Sequence, residues 1–120
     1  MPYVERVSDT GLIDLETILD RVGGDQELLR EITGIFLAEY PALLADIQAA
    51  IEAGDAKRLE RAAHSLKGSV ANFGARAATD VSFQLEIMGR KGHLEHSPEA
   101  FEELLTRFRQ LQPCLEALAA

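Results

Sequence analysis

Apolar residues return along this chain at three- and four-residue steps almost from end to end, the spacing of a helix face and not of a strand. Leu12, Ile13, Leu15, Ile18, Leu19 and Val22 predict a short leading helix that stops at Gly23-Gly24. Asp25 then offers a side chain to cap the next helix. Leu28, Leu29, Ile32, Ile35, Phe36, Leu43, Leu44, Ile47 and Ile51 carry that helix over 25–53, roughly 40 Å at 1.5 Å per residue. Pro41 lies inside it and should bend it or strand a carbonyl.

Gly54 ends this segment and Asp55 caps a third, about 56–73, with Leu59, Ala62, Ala63, Leu66, Val70 and Phe73 as its apolar stripe. Gly74 breaks it, as a glycine at positive φ does after a helix. A fourth segment, roughly 75–90, carries Ala78, Val81, Leu85 and Met88 and runs out at Gly89 and Gly92. Ser97-Pro98-Glu99 reads as N-cap, first-turn proline and early acid of a last helix. That helix carries Phe101, Leu104, Leu105, Phe108, Leu111, Leu115 and Leu118, with a kink expected at Pro113. The expected fold is all-α: an antiparallel up-down-up-down four-helix bundle over 12–118, closed at one end by the short extra helix and preceded by a tail, 1–11.

Composition narrows what such a bundle does. In 120 residues, 20 Asp plus Glu oppose 12 Lys plus Arg, a net charge of −8. That balance argues against nucleic acid as a partner, because a phosphate-backbone binder needs a basic stripe. No apolar run approaches the roughly 18 residues of a membrane span, and MPYVERVSDTG lacks a signal peptide's apolar stretch. The lone Cys114 has no internal disulfide partner, so cytoplasm is the expected compartment. The charge is uneven, however. Residues 1–55 sum to −9, whereas 56–76 carry Lys57, Arg58, Arg61, Lys67 and Arg76 against Glu60 alone, a local +4.

His64 sits in that basic interval. On a helical wheel it falls about 140° from Leu59 and well off the apolar stripe, on the same outward face as Lys57, Gly68 and Ala71, with Arg61 and Lys67 to either side. A glycine inside an exposed helix costs up to about 1 kcal/mol relative to Ala. At Gly68, one turn beyond the histidine, the missing side chain lets another molecule approach the ring. A neutral imidazole is a competent nucleophile near pH 7, and the flanking cations favour an arriving anion such as a phosphoryl group. Each exposed charge is worth under about 1 kcal/mol, so the cations bias the site without creating the reaction. No other nucleophile–base pair, acid pair or phosphate-cradling loop accompanies His64, so the chain lacks most of what a self-sufficient kinase or hydrolase needs. If the third and fourth helices run antiparallel about Gly74, residue 84 lies level with residue 64. Gln84 is then a candidate support for the ring or a bound phosphoryl group.

The run His64-Ser65-Leu66-Lys67-Gly68-Ser69, followed by Phe73-Gly74-Ala75, resembles the signature of histidine-containing phosphotransfer (HPt) domains of two-component phosphorelays. Gly23-Gly24-Asp25, Phe36, Glu39, Pro41, Asp55, Ala63, Leu85-Glu86 and Gly89-Arg90 are similar to the family pattern as well, so the likeness covers about residues 12–118. The resemblance implies a phosphocarrier and not an enzyme. Its histidine takes a phosphoryl group from the aspartate of one response-regulator receiver domain and passes it to that of another. It implies His64 as phospho-acceptor through Nε2, Lys67 as the neighbouring positive group and Gly68 as the gap that admits the receiver, with Ser69 in the same motif. The implied partners are receiver domains and a hybrid sensor histidine kinase, with Mg²⁺ on the receiver and no cofactor on this chain.

Two other readings compete. A helical interaction module would bind receiver or kinase domains without carrying phosphate. A metal site at His93 and His96, with Glu95 between them, would need four ligands for structural zinc, and no spacing of that type occurs; no metal ligands are expected. An acidic DNA mimic would leave the His64 cluster without a purpose.

Overall fold

The computed structural model describes residues 12–120; the expected tail, 1–11, lies outside the described residues. The described residues form five α-helices and no strand: α1 (Leu15–Arg21), α2 (Gln26–Ala53), α3 (Ala56–Ala71), α4 (Arg76–Lys91) and α5 (Ser97–Ala119). Asp25 caps α2 by accepting from the amides of Glu27 and Leu28. Asp55 caps α3 through the amide of Arg58. Gly54 and Gly92 close α2 and α4 at φ 64° and 72°, in the left-handed region open to glycine. α2 is continuous through Pro41, where the missing N–H leaves the Leu37 carbonyl without its helical donor.

Three boundaries differ from the expectation. α1 starts three residues late because Asp14 is its cap, and the Asp14 amide is spent on the Phe73 carbonyl (3.0 Å) across the α3–α4 corner. α3 ends at Ala71, so Phe73 lies in the turn, where its buried ring still joins the core. Gly89 does not end α4 but lies inside it. At α5 the expected cap is also absent: Ser97 is helical, and its hydroxyl donates back to the Leu94 carbonyl at 2.7 Å.

The four long helices pack in a ring. α2 lies against α3 and α5, α4 lies against the same two, and the Cα atoms of the pairs across the ring stay more than 8 Å apart; α1 packs on α2. Leu59, Ala63 and Leu66 of α3, Ile47 of α2, Leu85 of α4 and Leu104 of α5 are all fully buried on the inside of this ring. Phe36 and Tyr40 of α2 meet Phe73 and Phe108, with ring centroids 4.7–6.2 Å apart, and tie α2 to α5 and to the corner. α2 is long and apolar enough to match a membrane span by length and composition. Within it Leu29, Phe36, Ile47 and Ala50 are buried among the other helices.

The closest pair is α3 and α4. A Cβ on Gly89 would lie 2.6 Å from the Glu60 amide nitrogen and 2.7 Å from the Ala56 carbonyl oxygen. The bare glycine therefore lets one backbone rest on the other.

Candidate functional site

His64 emerges from the middle of α3 because its neighbours on the stripe point elsewhere. Leu59, Ala63 and Leu66 face the core with no exposed surface, while the His64 side chain is 68% exposed. Its Nδ1 is nevertheless held: it donates to Glu86 Oε2 of α4 at 3.1 Å. A carboxylate only accepts, so the hydrogen sits on Nδ1 and the lone pair on Nε2.

Glu86 is the centre of the site, and its side chain is only 3% exposed. A buried carboxylate needs compensating partners, and two cations supply them. Lys67 Nζ stands 2.7 Å from Oε1, an ion pair whose angles fall outside hydrogen-bond geometry. Arg90 Nη2 donates to Oε2 at 2.7 Å, and Arg90 Nε reaches Glu60 Oε2 at 3.0 Å. Burial pushes the Glu86 carboxyl up, but the contacts with Lys67 and then His64 outweigh it and leave its pKa below the ordinary carboxylate value. The carboxylate is thus ionised at neutral pH beside the imidazole.

Sequence reasoning places Gln84 at the height of His64. The observed partners are 60 with 90, 64 with 86 and 67 with 83, in opposite senses along the two helices. The pairing is centred on residue 75 and not on Gly74, which moves the level of His64 two residues further along α4. Gln84 is exposed and makes no hydrogen bond with the ring; Glu86 takes that place. The sequence does carry a signal for Glu86. With Ser82 and Gly89 counted in the α4 stripe, its centre moves toward Glu86 and away from Gln84.

The other expected residues divide into two groups. Arg61 is exposed and, with Glu60, Ser65, Glu86 and Arg90, lines an open recess beside His64. Gly68 is exposed, and nothing lies within 4 Å of the position a Cβ would take, so the face one turn beyond the ring is clear. Lys57 is exposed two turns before His64, and Ala71 is half-buried two turns after it. Lys67 is occupied differently from the expectation. Its ammonium lies between Glu86 and the ring of Phe83, 4.9 Å from the centroid, and so faces α4 more than an incoming anion. Ser69 is half-buried and makes no hydrogen bond with the histidine.

Among the described residues no three His, Cys, Asp or Glu side chains cluster closely enough to hold a metal ion, and His93 and His96 are exposed on the α4–α5 connection. A second hollow, beneath α1 between Ile18, Val22, Leu29 and Phe73, is apolar apart from Arg21 and Asn72 and offers no nucleophile.

The geometry is therefore an outward Nε2 lone pair, a ring fixed from behind by an ionised carboxylate, and an open approach over Gly68. A family model described as Hpt domain matches residues 31–120. The crystal structure of histidine-containing phosphotransfer protein B (HptB) from Pseudomonas aeruginosa PAO1 is similar at a TM-score of 0.82 and 25% identity, over 88% of this chain and 91% of that one. No curated protein matches.

Proposed function

The chain belongs to the Hpt domain family, and from that membership we propose that His64 is the residue that carries its phosphoryl group. The protein is a histidine phosphotransfer module of a phosphorelay. The observation that carries the assignment to His64 is the pairing of an exposed ring with a buried Glu86 acceptor at 3.1 Å on Nδ1.

The chemistry follows from that pairing. The Nε2 lone pair attacks the phosphorus of an aspartyl phosphate on a receiver. The N–P bond forms, the P–O bond to aspartate breaks, and the receiver carboxylate leaves with the electron pair. Nδ1 keeps its hydrogen throughout, and the positive charge that develops on the ring lies against the Glu86 carboxylate. In the reverse direction, or on a second receiver, an aspartate oxygen attacks phosphorus and the neutral imidazole leaves. No general base is required at either step, which suits a chain with so little other chemistry. Mg²⁺ and the remaining catalytic groups belong to the receiver in this reading. The chain acts as a carrier with no kinase or phosphatase activity of its own, between receiver domains and a hybrid sensor kinase in the cytoplasm.

Gly68 is the approach for the receiver, and Arg61 and Arg90, which line the recess beside the ring, are the cations that would meet a phosphoryl group arriving there. Lys67 acts through Glu86. The domain spans 12–118, and its four long helices run up, down, up and down; short connections and ring packing support that arrangement.

Incubation with a ³²P-phosphorylated receiver tests the assignment. Acid-labile, base-stable label is expected on the wild-type chain and none on His64→Gln. Label that persists on the variant would remove His64 from the role.

A further inference from the structure

We propose that Gly89 is a positioning residue for phosphotransfer: by letting α4 rest on the α3 backbone, it sets the reach of Glu86 to the Nδ1 of His64. The proposal builds on His64 as acceptor and adds a requirement at a residue that touches neither the ring nor the phosphoryl group.

Gly89 is an interior helical residue with ordinary negative φ, so no turn or left-handed conformation accounts for it. On propensity alone Ala would be better there by up to about 1 kcal/mol. What Gly89 does instead is steric. The atoms that a Cβ would meet, at 2.6 and 2.7 Å, are the Glu60 nitrogen and the Ala56 oxygen, both backbone. Rotating a side chain cannot relieve either contact. Restoring ordinary van der Waals separation of 3.4 Å moves the two helices apart by roughly 0.8 Å at this level.

Glu86 lies one turn from Gly89 on α4, and Glu60 one turn from His64 on α3, so the separation acts directly on the His64–Glu86 pair. The pair has little slack. Its 3.1 Å is already near the long end of an N–H···O bond, and a further shift of roughly 0.8 Å ends it. The other two partners of Glu86 tolerate the shift. Arg90 is on α4 and moves with it, and Lys67 has four rotatable bonds with which to follow. The imidazole, on a short side chain from the opposite helix, is the contact that is lost. Without the Glu86 acceptor the hydrogen is free to move to Nε2, which removes the lone pair from the nucleophilic position.

Two readouts test this. In ¹⁵N-resolved NMR of unphosphorylated protein, wild-type His64 is expected as the Nδ1–H tautomer and Gly89→Ala with a raised Nε2–H population. Phosphotransfer from a phosphorylated receiver to Gly89→Ala is expected to slow about tenfold, the scale of one hydrogen bond to a charged group. In a Glu86→Ala background, Gly89→Ala should change the rate by less than about twofold, because the bond it acts through is already gone. An equal loss in both backgrounds, or a wild-type tautomer in Gly89→Ala, would overturn the proposal. If Gly89→Ala does not fold, Glu86→Asp retracts the carboxylate by one methylene with Gly89 intact. It is expected to show the same tautomer change and slowing, and wild-type behaviour there would equally refute a role for reach. The tautomer is read without phosphate, so failure of His64 as acceptor appears separately, as absence of label on the wild type.

Discussion

Replacing Glu86 by Gln removes one negative charge while keeping the length and shape of the side chain. Three N–H-bearing groups converge on the two carboxylate oxygens: Arg90 at 2.7 Å and His64 at 3.1 Å as hydrogen-bond donors to Oε2, and Lys67 at 2.7 Å from Oε1 as an ion pair. A glutamine offers one oxygen and an NH₂ group, so at least one of these groups must face another donor. Hydrogen bonds to charged groups contribute about 1.5–3 kcal/mol, against about 1 kcal/mol for neutral ones. Phosphorylation at Nε2 places positive charge on the ring, and the carboxylate stabilises that charge more than an amide does by about 0.5–2 kcal/mol, a factor of roughly 2–30 in rate. Rapid-quench measurement of transfer from a phosphorylated receiver reads this directly, with circular dichroism to show that the variant is folded. A folded Glu86→Gln that transfers within about twofold of wild type would refute the claim that the buried carboxylate supports the nucleophile.

Three further outcomes follow from the same geometry. Gly68→Ala meets nothing within 4 Å, so urea melts should show it more stable by up to about 1 kcal/mol, while its transfer slows because a methyl now stands in the approach to the ring; a variant both more stable and equally fast would contradict the role of that gap. Gly74→Ala should cost about 2–3 kcal/mol by the same melts, since φ is 63° and the new Cβ would press on Asp14, 2.9 Å from its nitrogen; an unchanged midpoint would contradict the tie between α1 and the corner. Glu86 has its folded pKa below the ordinary 4.5, so its stabilisation is fully present above that pH and is lost as pH falls through the folded value. The stability gap between wild type and Glu86→Gln should therefore hold level from neutral pH and shrink below about pH 4.5; a gap that widens on acidification would contradict the sign.

Much of this architecture is legible in the amino-acid sequence alone. Asp25, Gly54, Asp55 and Gly92 mark helix ends through capping chemistry that acts within a few residues, and the outward direction of His64 follows from the period of a single helix. What is not legible depends on how two helices lie against each other. Gly89 reads as a terminator in one dimension and is a packing contact in three. By its charge alone Glu86 is one more acid in a chain with a net charge of −8, and it is buried only because Lys67 and Arg90 arrive from two helices to compensate it. The candidate partner for the ring is therefore displaced by two residues, from Gln84 to Glu86. A buried charge breaks the hydrophobic pattern by which burial is inferred, and functional sites are where such breaks concentrate.

The central claim is that the phosphoryl group resides on Nε2 of His64 while Nδ1 is held by Glu86. The most direct measurement is ³¹P–¹⁵N correlation NMR of the ¹⁵N-labelled chain after phosphorylation by a receiver. The predicted result is a single N–P coupling to Nε2 of His64, with a hydrogen retained on Nδ1. Coupling to Nδ1, or a phosphoryl group on any other residue, would contradict it.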